Sequence, residues 1–215
     1  MIQDLSKQPG MLGVYIAQLR DRSIQTDRLR FRRNLERVGE AMAHAIAATL
    51  DFVDTEVVTP LGDARGVQLA DQPVLATILR AGLPMHQGFL NVFDDADNAF
   101  VSAYRKYDEG GDFEVEVEYM STPDLEGRTV ILVDPMLATG ASIALVLKAM
   151  GEFGRPARTI VACAIASRDG LAAVRKEAPK GVEIWAAAID DETTARGYIV
   201  PGLGDAGDLA YGAKR

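Results

Sequence analysis

Val130-Ile131-Leu132-Val133-Asp134-Pro135-Met136-Leu137-Ala138-Thr139-Gly140-Ala141-Ser142 runs from an apolar strand into an acid and then a loop of small residues. A helix-forming run, Ile143 to Met150, follows at once. Ile131, Leu132 and Val133 read as a central parallel strand buried on both faces. In open parallel sheets ligands sit beyond the carboxyl ends of the strands, and Asp134 stands at such an end. Ala138 to Ser142 let the backbone approach a ligand closely. Their N–H groups can converge on an anion where the next helix begins, and its dipole also favours negative charge there. Thr139 and Ser142 add hydroxyl donors. No Lys stands in the loop, so it is not the Gly-x-x-x-x-Gly-Lys loop of nucleoside triphosphatases. The carboxylate would repel a phosphate but suits a polyol such as a ribose. The expected ligand is therefore a sugar phosphate with its hydroxyls at Asp134. On this segment alone, an N-capped helix behind a core strand stays open as the plainer reading.

The pattern extends in both directions. Leu35, Val38, Met42, Ile46 and Leu50 recur at spacings of three and four, which predicts a helix from 27 to about 50. Thr59-Pro60-Leu61-Gly62 is a loop. Strands are predicted at 74–79, 99–104, 129–134, 158–166 and 182–189, and helices at 83–93, 142–152 and 170–177. Pro84 opens the first of these helices. After Gly110-Gly111, the alternation Phe113-Glu114-Val115-Glu116-Val117-Glu118-Tyr119 predicts a half-solvated strand of a hairpin arm. Strands alternating with helices define an α/β fold, a mainly parallel sheet flanked by helices. No internal repeat or low-complexity segment interrupts it.

At 215 residues the chain is read as one domain over 1–215, with length for one large core. Its start lacks a basic-then-apolar signal pattern. No apolar run approaches the roughly 20 residues of a membrane helix. One cysteine, Cys163, leaves no internal disulfide. These features predict a cytoplasmic protein with no membrane partner. A net charge of −8 argues against nucleic acid as a partner, because backbone phosphates need a positive surface. Locally, Arg20, Arg22, Arg28, Arg30, Arg32, Arg33 and Arg37 crowd one segment. The favoured reading is a solvated helix face paired with acids such as Glu36 and Glu40. The functional reading is an anion or effector site, or part of a subunit contact.

Two further strand ends carry cations. Ile78-Leu79-Arg80-Ala81-Gly82 puts an arginine in the crevice of Asp134, and its fork suits diphosphate oxygens. Tyr104-Arg105-Lys106 is a second basic strand end. In the tail, Gly202 to Gly207 satisfies Gly-x-Gly-x-x-Gly, yet too little chain follows for a dinucleotide-binding unit, which needs about 30 residues. A rigid Gly-rich loop can instead offer backbone N–H and C=O to a planar base. His44 reads as structural and His86 as a surface residue. Cys163 reads as an inert buried thiol. No His/Cys/Asp/Glu cluster has the spacing of a zinc site, and no activated-nucleophile pair is evident.

Together these pieces resemble the uracil phosphoribosyltransferases, a branch of the type I phosphoribosyltransferases, over nearly the full length. Val-Asp-Pro-Met-Leu-Ala-Thr-Gly-Ala-Ser is similar to the family's loop for phosphoribosyl pyrophosphate (PRPP), with Pro135 marking the uracil branch. Gly197-Tyr198-Ile199-Val200-Pro201-Gly202-Leu203-Gly204-Asp205-Ala206-Gly207-Asp208 resembles its uracil-binding tail, and Ile-Leu-Arg-Ala-Gly its pyrophosphate-contacting loop. The resemblance implies the type I phosphoribosyltransferase fold, with a β-hairpin arm and a C-terminal base-binding hood. It implies the reaction of uracil with PRPP to give UMP and pyrophosphate, with Mg2+ held mainly through PRPP. Carried over, Arg80 and Arg105 bind PRPP. Asp134, Pro135, Met136, Leu137, Ala138, Thr139, Gly140, Ala141 and Ser142 hold its ribose 5-phosphate. Ile199, Gly204, Asp205 and Ala206 meet uracil through the backbone, and Asp205 also faces PRPP. The catalytic set is then Asp134, Arg80, Arg105 and Asp205.

The chain departs from the family pattern at Ala141, where a second Gly is usual, at Lys106 in place of an acid, and after Asp208, where an Arg is missing. A methyl at Ala141 is tolerated where φ stays negative. Catalysis is expected to rest on orientation and electrostatics. The alternatives are a phosphoribosyltransferase for another base, or a pyrimidine-responsive RNA-binding regulator on the same fold. The arm at 112–120 suggests a homodimer or higher homo-oligomer. Some relatives are activated by GTP, and segment 20–37 is a candidate place for such an allosteric effector.

Overall fold

The computed structural model describes residues 1–107 and 113–214, and the side chains of 104–107 and 113–116 lie outside that description. The chain opens with strand β1 (Ile2–Asp4), helix α1 (Met11–Arg20) and helix α2 (Arg28–Ala47). A hairpin of β2 (Phe52–Thr59) and β3 (Gly62–Leu69) follows. Then come β4 (Val74–Leu79), α3 (Leu83–Leu90), β5 (Asp97–Tyr107), β6 (Phe113–Ser121), β7 (Thr129–Val133) and the short β8 (Met136–Leu137). The second half holds α4 (Ala141–Met150), β9 (Arg158–Ser167), α5 (Arg168–Glu177) and β10 (Glu183–Asp190). The tail forms β11 (Glu192–Thr193), β12 (Ile199–Val200) and α6 (Ala206–Tyr211).

The main sheet runs in the order β1-β10-β9-β7-β4-β5-β6, with β8 added to β9. Its pairings are parallel except β5 with β6. This is the expected α/β architecture, with an antiparallel strand at one edge. The buried strand runs are apolar on both faces, as helix-covered parallel strands require. On one side Leu35, Val38, Met42 and Ile46 of α2 pack with Met85 and Phe89 of α3 against Ile131 and Val133. On the other, Ile143, Val146, Leu147 and Met150 of α4 pack against Val130 and Leu132. Alternate residues of β7 therefore enter opposite cores.

The central elements fall near the predicted positions, with α4 starting at Ala141 and α5 at Arg168. The β2–β3 hairpin, α1 and β1 have no counterpart in the sequence reading. The β6 arm pairs with β5 and ends the sheet. Gly110-Gly111 and Asp112 lie outside the described residues. His86, read as a surface residue, is 3% exposed, because α3 lays it against Phe100 of β5. His44 is exposed on α2. Cys163 is fully buried, and burial pushes its thiol well above the usual range, as expected of an inert thiol.

Candidate functional site at the carboxyl edge of the sheet

Parallel strands deliver their carboxyl ends to one edge, and three segments converge there: the β4 end, the β7 loop and the tail. Asp134 directly follows β7. Its N–H donates to Ala162 O at 3.1 Å, and its Oδ1 accepts the Met136 N–H at 3.1 Å. Thr77 Oγ1 ties down the strand end by donating to Val133 O at 3.1 Å. Burial pushes the Asp134 carboxyl up to about 7, and the single Met136 N–H only partly offsets this. The group therefore stands between its neutral and charged forms at neutral pH.

Pro135 to Gly140 form a loop seated on β9 and α5. Ile165 N–H donates to Pro135 O at 3.0 Å, and Ser167 Oγ donates to Ala138 O at 2.5 Å. Ser167 Oγ also accepts the Gly170 N–H at 2.8 Å, capping α5. One hydroxyl thus couples the loop to α5. Gly140 closes the loop with φ +79° and gives α4 no side-chain cap of its own, while Thr139 Oγ1 accepts the Ala141 N–H at a long 3.5 Å. The N–H groups of Ser142 and Ile143 have no partner within the helix, the arrangement that favours an anion. Thr139 and Ser142 stand partly exposed beside them. Ala141 has negative φ, since no non-glycine residue among those described has positive φ. The methyl there causes no backbone conflict.

Gly140 is different. A Cβ there would lie 2.7 Å from Gly170 O and 3.0 Å from Val174 Cγ2. Gly140→Ala is expected to lose about 2 kcal/mol from left-handed strain alone. A thermal melt should fall by about 4–8 °C, and an unchanged midpoint would refute the tight packing described.

Arg80 follows β4 directly, at a cis Leu79–Arg80 peptide. Its guanidinium reaches the tail: Nη2 donates to Asp208 Oδ1 at 2.7 Å and to Gly212 O at 2.7 Å. A Cβ at Gly207 would lie 3.7 Å from Arg80 Nε, so the arginine lies against α6. Asp205 caps α6 by accepting the Asp208 N–H at 2.9 Å, and Lys214 Nζ stands 3.9 Å from its other oxygen. Ile199 and Ala206 are buried, whereas Gly204 is exposed. Arg105 and Lys106 lie on β5 opposite Val115 and Glu114. Their side chains lie outside the described residues.

The arginine-rich segment divides its tasks. Arg33 pairs with Glu36 at 2.6 Å on an exposed face, as the solvated reading expects. Arg32 turns inward, donating to Ala210 O at 2.7 Å and lying 6.0 Å from the Tyr211 ring. Arg20 reaches the tail through buried Asp190 at 2.7 Å. The sequence reading missed Asp190, Gln25 and the link from Asp208 to Arg80. No local pattern marks them, because the contacts Arg20–Asp190, Gln25–Leu203 and Arg80–Asp208 each span more than a hundred positions.

Among the described residues no group of three or more His, Cys, Asp or Glu side chains is placed to hold a metal ion. Single carboxylates at Asp134 and Asp205 suit a hard cation that brings most of its own oxygen ligands.

A parallel sheet with a carboxylate, a small-residue anion loop and an arginine on one edge is the architecture of a phosphoribosyltransferase. A hypoxanthine phosphoribosyltransferase from Staphylococcus aureus shares the fold, with TM-score 0.51 at 9% identity over 75% of this chain and 76% of that one. A protein of Aquifex aeolicus superposes with TM-score 0.87 at 29% identity, covering 99% of this chain and 98% of that chain. The family model for uracil phosphoribosyltransferase matches residues 8–213. A uracil phosphoribosyltransferase of Porphyromonas gingivalis is 50% identical over 98% of this chain and 97% of its own length. One from Methanothermobacter thermautotrophicus is 42% identical over 85% of this chain and 83% of its own. The chain belongs to the uracil phosphoribosyltransferase family.

Proposed function

We propose that the chain transfers the phosphoribosyl group of PRPP to uracil, giving UMP and pyrophosphate. Membership of the family carries this reading. Its chemical support is the meeting of an anion loop, a carboxylate and an arginine at one strand edge, with a Gly-rich tail against the arginine.

The loop from Ala138 to Ser142 takes the 5-phosphate on the first N–H groups of α4 and the two hydroxyls. Ionised Asp134 accepts hydrogen bonds from the ribose hydroxyls and fixes the sugar. Arg80 meets the diphosphate and neutralises charge as it leaves, and Arg105 shares that role by the family resemblance. Backbone groups of Ile199, Gly204, Asp205 and Ala206 present uracil. A ring nitrogen of the base then forms a bond to the anomeric carbon as the bond to the diphosphate oxygen breaks, and the proton that nitrogen carried passes to the departing pyrophosphate or to water. The chain provides orientation and electrostatics throughout. Mg2+ would arrive mainly on PRPP oxygens, with Asp134 or Asp205 in reach, and would supply charge neutralisation of the leaving group.

The decisive assay supplies PRPP and Mg2+ with uracil, hypoxanthine, guanine or orotate in turn. UMP formation with uracil preferred is the expected result. A purine preference would overturn the assignment, and tight sequence-specific RNA binding at physiological salt would point to a regulator instead.

Regulation and assembly extend the reading. Leu29, Arg32, Arg33, Glu36, Pro84 and Tyr211 line a cleft of about 470 Å3 between α2, α3 and the tail. It is our candidate site for a GTP effector, because its arginines suit phosphates and Tyr211 belongs to the hood. GTP that leaves the rate unchanged would refute this. The chain works as a cytoplasmic homo-oligomer. Among the described residues no helix is long and apolar enough to cross a membrane. Val58 is 86% exposed, Leu61 100% and Val67 68% on the isolated β2–β3 hairpin. A lone hairpin of this kind is marginal in water, so cover from a second copy fits its composition. Val58→Glu with Leu61→Glu should shift the solution mass downward, and an unchanged mass would remove the hairpin from the interface.

A further inference from the structure

We propose that Arg20 and Asp190 are positioning residues for the base, an ion pair that sets the tail backbone in the geometry that receives uracil. The inference rests on the proposed role of Ile199 to Ala206.

Arg20 ends α1, and Asp190 ends β10 at the carboxyl edge of the sheet. The guanidinium grips both carboxylate oxygens, Nη1 to Oδ2 at 2.7 Å and Nη2 to Oδ1 at 2.7 Å. Each partner then holds one side of Gly202. Arg20 Nη1 donates to Gly202 O at 3.0 Å, and Gly202 N–H donates to Asp190 Oδ2 at 2.9 Å. Asp190 is 7% exposed, so these bonds act in a medium that strengthens them. Gln25 adds a second hold: its Nε2 donates to Leu19 O at 2.8 Å and to Leu203 O at 3.1 Å.

The clamp is placed where the backbone has least slack. Gly202 has φ +56°, and a Cβ there would lie 2.1 Å from Ile199 O. The turn from Ile199 to Leu203 is therefore tight, and both of its end residues carry buried side chains. Gly204, Asp205 and Ala206 follow directly. A half-buried, bidentate pair anchored outside the tail thus fixes the turn that leads into these residues. Fixed hydrogen-bonding edges are what a planar base needs, and a misplacement near 1 Å at such an edge costs about 100-fold in rate. Lys at position 20 would keep the charge and lose the fork. Asn at position 190 would keep the shape and lose the charge.

The test is two-substrate kinetics with a melting temperature for each protein. Asp190→Asn and Arg20→Lys are expected to raise KM for uracil by about 10- to 100-fold, with KM for PRPP moved by less than about threefold. Gln25→Ala, a milder cut, should move uracil in the same direction by a few fold and keeps the proposal testable if the ion-pair variants fold poorly. Glu183→Gln is the control. It breaks the Arg158–Glu183 pair, 2.7 Å long, at the other end of the same strand. Gly204→Ala alters the tail itself. Equal rises in both KM values, or losses that follow melting temperature as in Glu183→Gln, overturn the proposal. If Gly204→Ala raises KM for uracil while the Arg20, Gln25 and Asp190 variants do not, the brace fails and the tail keeps its role. If Gly204→Ala leaves uracil unaffected, the role of the tail fails, and the brace with it.

Discussion

Asp134→Asn is expected to remove most of the transfer activity and at the same time make the folded chain more stable above neutral pH. The carboxyl has a pKa near 3.9 in an unfolded chain and about 7 in the folded one, raised by burial. Between those values the folded state holds a proton that the unfolded state has lost. The group's stabilising contribution is therefore complete below about pH 4 and disappears as pH rises through about 7. Above that, folding must bury a charge. Each pKa unit is worth about 1.4 kcal/mol. The residue is partly exposed, so we discount the full shift to about 2 kcal/mol. Asn carries no such cost, and its amide oxygen can still accept the Met136 N–H. Melts at pH 8 should place the variant about 4–8 °C above the parent, with the gap narrowing below about pH 7 and closing near about pH 4. The same replacement removes the charge that holds the ribose hydroxyls, and kcat/KM for PRPP should fall by about 100-fold or more. In the parent, kcat/KM should decline as pH falls through about 7, when the carboxyl takes up its proton. A variant no more stable than the parent at pH 8 would show that the carboxylate is not strained by burial. One that keeps its activity would remove Asp134 from the ribose site.

That opposition between stability and function explains why the strand–loop–helix was the most legible part of the chain. Ile131 to Val133 are apolar without alternation because both faces are covered, and the acid after them breaks the pattern where the core ends. Small residues follow because Gly140 needs positive φ and lies against Gly170. Local chemistry therefore announces local geometry. The β2–β3 hairpin gave no such signal. Its residues are exposed on both faces, so no period of two separates them, and only the turn at Thr59 to Gly62 could be read. Helix α1 follows Gly10, which offers no side-chain cap, and buries only Ile16 and Leu19, too few to mark a face. His86 is buried by a contact between elements, its ring lying against Phe100 of β5, which no local pattern announces. Arg20 was counted among solvated arginines. Its partner Asp190 is 170 positions away, and no spacing rule spans that distance. The edge that gathers the site was legible, whereas the struts that fix its parts were not, because they are contacts between elements.

Arg80→Lys should separate charge from geometry at the other strand end. It is expected to lower kcat/KM for PRPP by about 10- to 100-fold while leaving the melting temperature within about 2 °C. The stability side follows from exposure. Arg80 and Asp208 are 36% and 37% exposed, and such pairs contribute no more than about 1 kcal/mol. Lys can keep part of that attraction. The activity side follows from shape, because a lysine brings one point charge where the guanidinium presents a planar fork to diphosphate oxygens. Arg80 is also the side chain that joins the β4 loop to the tail, through Asp208 and Gly212 O. A lysine cannot keep both of those bonds and meet the diphosphate, so part of the loss should appear in KM for uracil as well. Asp208→Asn provides the complementary measurement: it weakens the hold on Arg80 and leaves the fork intact. Its kcat/KM should stay within about fivefold of the parent, well above Arg80→Lys, if the fork itself meets the diphosphate. Equal losses in the two variants would mean that Arg80 acts by holding α6 and not by touching PRPP.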